Sequence, residues 1–176
     1  MVYMVKKILD STLTYYSGNM GVGGRVFFIS REPVEILMVL YTAGSSSSYP
    51  NTPPDKGIRF HFLGGAGEVG NVGCIIEDSA GTRVLIDYGL APTKPPRYPS
   101  ESPPVKHAIM THAHIDHIGM APWLATYETL LHGTDLTAAV SEIMWSDTYK
   151  VSDIEGYPLA WDKRDMEVAL DSWMPH

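Results

Sequence analysis

The stretch "THAHIDHIG", residues 111–119, holds three of the chain's seven histidines within six residues, with Asp116 among them. Imidazole and carboxylate together are the donor set of zinc, and next of iron or manganese. In an extended loop, side chains two apart point the same way, so His112 and His114 can reach one cation. Asp116 and His117 lie just beyond, where the loop is expected to turn into a helix. Adjacent residues at a helix start can converge on a second cation nearby. The bland alternative, a His-rich surface loop, leaves the interleaved aspartate unexplained. Asp87 closes the apolar run "VLID". It is either a turn-forming residue or a carboxylate that orients metal-bound histidines from behind. His61 and His107 stand alone in strand-like text and read as structural. His132 precedes a helix start and reads the same way.

A second motif competes for attention. Gly65-x-Gly67-x-x-Gly70 follows an apolar run, and Asp87 comes some twenty residues later, the spacing of a dinucleotide fingerprint. That fold needs a helix directly after the glycines, to seat the pyrophosphate on its N-terminus. Only twelve residues separate Gly70 from Arg83, and they include Gly73, Gly81 and the β-branched pair Ile75–Ile76. They read as strand, turn, strand, with no room for a crossover helix. Gly64, Gly65 and Gly67 are then either a loop beside an active site or a turn that needs small residues.

These residues require a scaffold of alternating strands and turns. "IRFHFL" (58–63), "VGCIIE" (72–77) and "RVLIDYG" (83–89) read as strands, the last two joined by the turn "DSAG". A proline-rich loop (91–104) leads to the strand "VKHAIM" (105–110), which sets where the histidine loop starts. "APWLATYETLL" reads as a helix running into a short strand. Thr134 can cap a following helix, with Leu136, Val140, Ile143 and Met144 on one face. Asp162 can cap another, with Met166, Ala169, Leu170 and Trp173 inward.

The 176-residue chain is 44% hydrophobic and 19% charged, the composition of a globular domain. Its net charge of −7 is uneven: residues 1–57 carry five Lys/Arg and four Asp/Glu, residues 58–176 eight against sixteen. No basic stripe offers a phosphate backbone a footprint. The longest apolar stretch, 26–41, is broken by Arg31, Glu32, Pro33 and Glu35, so no membrane span is expected. Lys6 and Lys7 lead into no apolar signal region. A single cysteine, Cys74, excludes an internal disulfide and suits a reducing, cytoplasmic setting; it reads as a core residue. Residues 42–57, rich in Ser and Pro, read as a linker. The apolar runs Val26–Ser30 and Ile36–Tyr41 before it could pair as a hairpin. Residues 1–57 are expected to be an N-terminal extension and linker, and residues 58–176 the domain that carries the chemistry.

"THAHIDH" resembles the His-x-His-x-Asp-His signature of the metallo-β-lactamase fold. With "FLGGAGEVG" and "LIDYGL" it looks like the β-CASP branch, the nucleases related to cleavage and polyadenylation specificity factors and to RNase J. The resemblance covers residues 58–176. It implies an α+β fold, the first half of an αββα sandwich. It implies a zinc-dependent phosphodiester hydrolase acting on RNA, with two zinc ions per complete site that activate water and offset charge on the phosphate. His112 and His114 then match ligands of one zinc, and Asp116 and His117 ligands of the other. Asp116 also matches the residue that helps position the attacking water, and Asp87 the first-motif carboxylate that supports the site. Gly64, Gly65, Gly67 and Glu68 fall in the family's active-site loop. The family's third histidine, bridging aspartate and late histidine, and its β-CASP domain, come further along a chain than residue 176. The sequence is therefore expected to be a fragment, half of a split gene or a truncated product, with a homodimer or other partner as an alternative source of the missing ligands. Two other readings stay open: a thioester, lactone or lactam hydrolase on the same fold, and a catalytically inactive subunit.

Overall fold

The computed structural model describes residues 52–176 and, ahead of them, the strands β1 (Thr14–Met20), β2 (Gly24–Arg31) and β3 (Val34–Tyr41). These three form an antiparallel sheet in the order β1-β2-β3. Val26 faces Val39 and Ile29 faces Ile36 in the β2–β3 register, so the two apolar runs do pair as a hairpin. Residues 42–51 of the expected linker lie outside the described residues.

From Ile58 onward the chain builds a six-stranded sheet in sequential order: β4 (Ile58–Gly64), β5 (Gly73–Asp78), β6 (Arg83–Tyr88), β7 (His107–Ile109), β8 (Leu130–Gly133) and β9 (Trp173–Pro175). The first three strands run antiparallel through short turns, with Asp78 accepting from the backbone N–H of Ala80 and Thr82 to close the β5–β6 turn. From β6 to β9 the pairing is parallel. Each parallel step needs a long connection. The first is the proline-rich loop. The second holds the single turn α1 (Ile115–Ile118) and a 3-10 helix (Ala121–Tyr127), and the third α2 (Asp135–Glu155) and α3 (Lys163–Asp171).

Alternation along the strands sends Leu63, Ile75, Leu85, Ala108 and Leu131 to one face. There they pack with Ile118, Leu124, Trp145, Trp161 and Ala169 from the helical connections as one core. The opposite residues are less covered; Ile109, for example, is 42% exposed. The architecture is a mixed sheet with helices packed on one face, consistent with part of the sandwich that the sequence implies. In β4 the face holding Ile58, Phe60 and Phe62 is half-buried, and the deeper face carries His61 and Leu63.

Both helix caps fall where expected. Thr134 accepts from the Thr137 N–H, and Asp162 forms a reciprocal capping box with Asp165. The face of α2 departs from simple periodicity. Leu136 and Ile143 are 73% and 67% exposed, while Thr137, Ser141, Trp145 and Ser152 are buried. Trp145 decides the rotation of the helix: it is the largest apolar group on α2, and its indole N–H donates to the Ile118 carbonyl at 2.8 Å. The small residues around it let the helix approach the sheet. In urea denaturation, Trp145→Ala is expected to cost about 3–5 kcal/mol. Ile143→Ala should stay within about 0.5 kcal/mol of the parent, as exposed positions do.

Candidate metal centre

The histidine loop leaves the core strand β7 and ends in α1, so its start is fixed by the sheet and its finish by a helical turn. Asp87, at the end of β6, holds it from beneath. This residue is 3% exposed and sits in the left-handed region, φ 55°, a conformation aspartate tolerates better than most. Its Oδ1 accepts from the Thr111 backbone N–H at 2.8 Å, and the Thr111 hydroxyl donates to the same carboxylate, 3.0 Å from Oδ1 and 2.8 Å from Oδ2. His117 Nδ1 lies 2.8 Å from Oδ2. The orienting role for Asp87 therefore has a geometry.

These contacts favour one assignment of the ring protons. An ionised carboxylate only accepts, so His117 is protonated at Nδ1 and its Nε2 lone pair is free. With the Thr111 hydroxyl proton committed to Asp87, its oxygen accepts from His112 Nδ1 at 3.0 Å. His112 Nε2 is then the acceptor in its contact with His114 Nδ1. His112 Nε2 stands 3.1 Å from His114 Nδ1. Two ligands of a tetrahedral zinc, each about 2.0–2.1 Å from the ion, are about 3.3 Å apart, so this pair already has nearly the right spacing. His117 Nε2 lies 3.8 Å from Asp116 Oδ2, a second donor pair. The rings of His112 and His117 are 4.0 Å apart, centre to centre, which puts the two pairs side by side. Burial, together with the neighbouring His117 and His114 rings, holds His112 below the ordinary imidazole range and so toward its metal-binding neutral form.

The donors are thus gathered as two pairs. Among the described residues, no three His, Cys, Asp or Glu side chains already surround one point. His107 and His132 do not stand apart as the sequence suggests: His107 Nδ1 is 2.9 Å from His132 Nε2, and His132 Nδ1 is 2.8 Å from His176 Nε2. Register between parallel strands brings these together, which spacing along the chain could not reveal. His61 is buried in β4.

The glycine loop adjoins the centre through its backbone. Val72 N–H donates to the Asp116 carbonyl at 2.9 Å, and Gly89 N–H donates to Val72 O at 2.8 Å. Gly65 needs its positive φ of 77°, and a Cβ on Gly64 would sit 2.2 Å from Asn71 O. Gly67 meets no such obstacle. Glu68 turns to its own loop and to the proline-rich segment, accepting from Asn71 Nδ2 at 2.9 Å and Arg97 Nη1 at 2.7 Å. The Asn71 amide foremost, and then Arg97, hold its carboxyl below the usual range. Two residues of the centre escape sequence reasoning. Thr111 was legible only as the first letter of the motif. Gly89 packs so closely that a Cβ there would lie 1.8 Å from Asp116 O.

Residues 66–145 match the metallo-β-lactamase superfamily. The transcription termination factor FttA of Lokiarchaeum sp. (strain GC14_75) is 30% identical over 146 residues, 78% of this chain and 23% of that protein. RNase aCSPSF2 of Saccharolobus solfataricus is 30% identical over 119 residues, 64% of this chain and 23% of that protein. Cleavage and polyadenylation specificity factor 73 of Drosophila melanogaster is 26% identical over 118 residues, 62% and 17%. The chain spans less than a quarter of the length of these relatives. No helix among the described residues is long and apolar enough to cross a membrane.

The tautomer assignment has a direct readout. Long-range nitrogen–proton NMR should show His112 and His117 both protonated at Nδ1. Thr111→Val should release His112 alone, and Asp87→Ala should release both. Asp87→Ala should also weaken zinc binding by about 10–100-fold, measured by competition with a chromogenic chelator.

Proposed function

We propose, for a chain whose residues 66–145 form a metallo-β-lactamase superfamily segment, that it supplies the first metal-binding half of a β-CASP-type ribonuclease active in RNA processing or mRNA 3′-end maturation. The paired geometry of His112 Nε2 and His114 Nδ1, beside Asp116 and His117, is the observation that carries this reading. The relatives' names, an RNase, a transcription termination factor and a cleavage and polyadenylation specificity factor, support RNA as substrate.

Two zinc ions suit the donors: His112 and His114 would hold one, Asp116 and His117 the other. Bound zinc supplies a Lewis acid that activates water and offsets phosphate charge. That positive potential matters here, because residues 58–176 carry sixteen Asp/Glu against eight Lys/Arg and would otherwise repel RNA. Asp116 would also position the attacking water. Asp87 keeps His117 in the correct tautomer and, through Thr111, His112 too. Each donor pair falls short of a four-coordinate set, so the remaining ligands come from other elements of the polypeptide or from a partner copy. The setting is cytoplasmic.

The test uses the full-length polypeptide loaded with zinc, given single-stranded RNA and, in parallel, a thioester. RNA cleavage is expected, with no thioester turnover. His114→Ala and Asp116→Ala should each lower the rate more than about 100-fold, beyond the range of outer supports. Thioester hydrolysis without RNA cleavage would overturn the reading in favour of a different hydrolase of the fold. Inactivity toward both would favour a non-catalytic subunit.

A further inference from the structure

A second group of imidazoles lies outside the histidine loop. Three neighbouring parallel strands present it: His107 opens β7, His132 lies in β8 and His176 follows β9. Ile109 faces His132 and His132 faces Met174 in the two registers, and the His176 N–H donates to the Gly133 carbonyl at 3.0 Å, which fixes the last histidine beside β8. Side-chain contacts follow: His107 Nδ1 to His132 Nε2 at 2.9 Å and His132 Nδ1 to His176 Nε2 at 2.8 Å, with the His132 and His176 rings stacked at 16°. This face of the sheet is open. Ile109 and Met174 beside the cluster are 42% and 44% exposed.

We propose that His107 Nδ1 and His132 Nε2 form a second cation site for a late first-row divalent ion such as Zn²⁺ or Ni²⁺, with His176 as the positioning residue that orients His132. The two ligand nitrogens are closer than those of the His112–His114 pair, and opening them by a few tenths of an ångström reaches the about 3.3 Å that a tetrahedral ion requires. A metal-bound imidazole characteristically donates its other N–H to a fixed acceptor, and His176 Nε2, 2.8 Å from His132 Nδ1, is placed to be that acceptor. An all-imidazole pair with no carboxylate favours late transition metals over Mg²⁺ or Ca²⁺. No three His, Cys, Asp or Glu side chains among the described residues surround one point, so water would have to complete the shell from the open face.

The test takes the full chain with His112→Ala, His114→Ala, Asp116→Ala and His117→Ala, so that neither donor pair of the loop remains, and titrates Ni²⁺ by calorimetry. One ion per chain is expected. Adding His132→Gln or His107→Gln should abolish that ion, and His176→Gln should keep the stoichiometry while weakening affinity about 10–100-fold. Paramagnetic broadening by Ni²⁺ should be confined to residues around 107, 132 and 176, which locates the ion even if a glutamine variant unfolds. Absence of binding in the loop-silenced chain, binding unchanged by His132→Gln, or broadening elsewhere would each overturn the proposal.

Discussion

The buried carboxylate of Asp87 is the constraint on which the centre depends. It lies at the end of a core strand, in a backbone conformation that costs of order 1 kcal/mol or more. Its oxygens are occupied by the Thr111 N–H, the Thr111 hydroxyl and His117 Nδ1. Those contacts reach both ends of the histidine loop, so one side chain fixes where the loop leaves β7 and how it enters α1. The sheet's other fully buried carboxylate, Glu77, is handled differently: Arg59 and Arg83 meet it at 2.9 and 2.8 Å. Asp87 is met by neutral donors and an imidazole, so its charge remains unspent beside the histidines. A negative charge there favours a cation in front of those rings, and an arginine in place of Thr111 would remove that bias.

Around this anchor the packing is backbone against backbone. Gly89 lies against the Asp116 peptide, Leu90 N–H donates to Ile115 O, and Met120 N–H donates to Tyr88 O. The segment after β6 and the helical turn carrying Asp116 and His117 thus share a hydrogen-bonded seam. Val72 joins the same seam from the glycine loop. Rigid main-chain contacts hold donor positions more tightly than flexible side chains would, and the glycines are what permit the approach.

The candidate donor residues could be singled out in the sequence because they are local: His112, His114, Asp116 and His117 are neighbours on one loop. The strands before β9 were legible through alternation and turn chemistry, and the caps at Thr134 and Asp162 through their side chains; Trp173, expected on the last helix, instead opens β9. What was hidden depends on contacts distant in sequence. The rotation of α2 follows Trp145 and its bond to Ile118, against the pull of Leu136 and Ile143. The part played by Thr111 emerges only once β6 lies beside β7. The contact of His107 with His132 and His176 depends on the parallel register of three strands, whose intervening connections carry no periodic mark of that pairing.

The crowding of four donors into six consecutive residues has a thermodynamic side. An ion stabilises a fold only by binding it better than it binds the unfolded chain. Here the unfolded chain keeps the same donors within a few residues of each other, and a short flexible segment closes around an ion at small entropic cost. What folding adds is the tautomer control from Asp87 and Thr111, and the alignment of the two pairs. An ion bound there would therefore contribute less to holding the domain together than its affinity suggests, leaving the sheet to stand mainly on its own core.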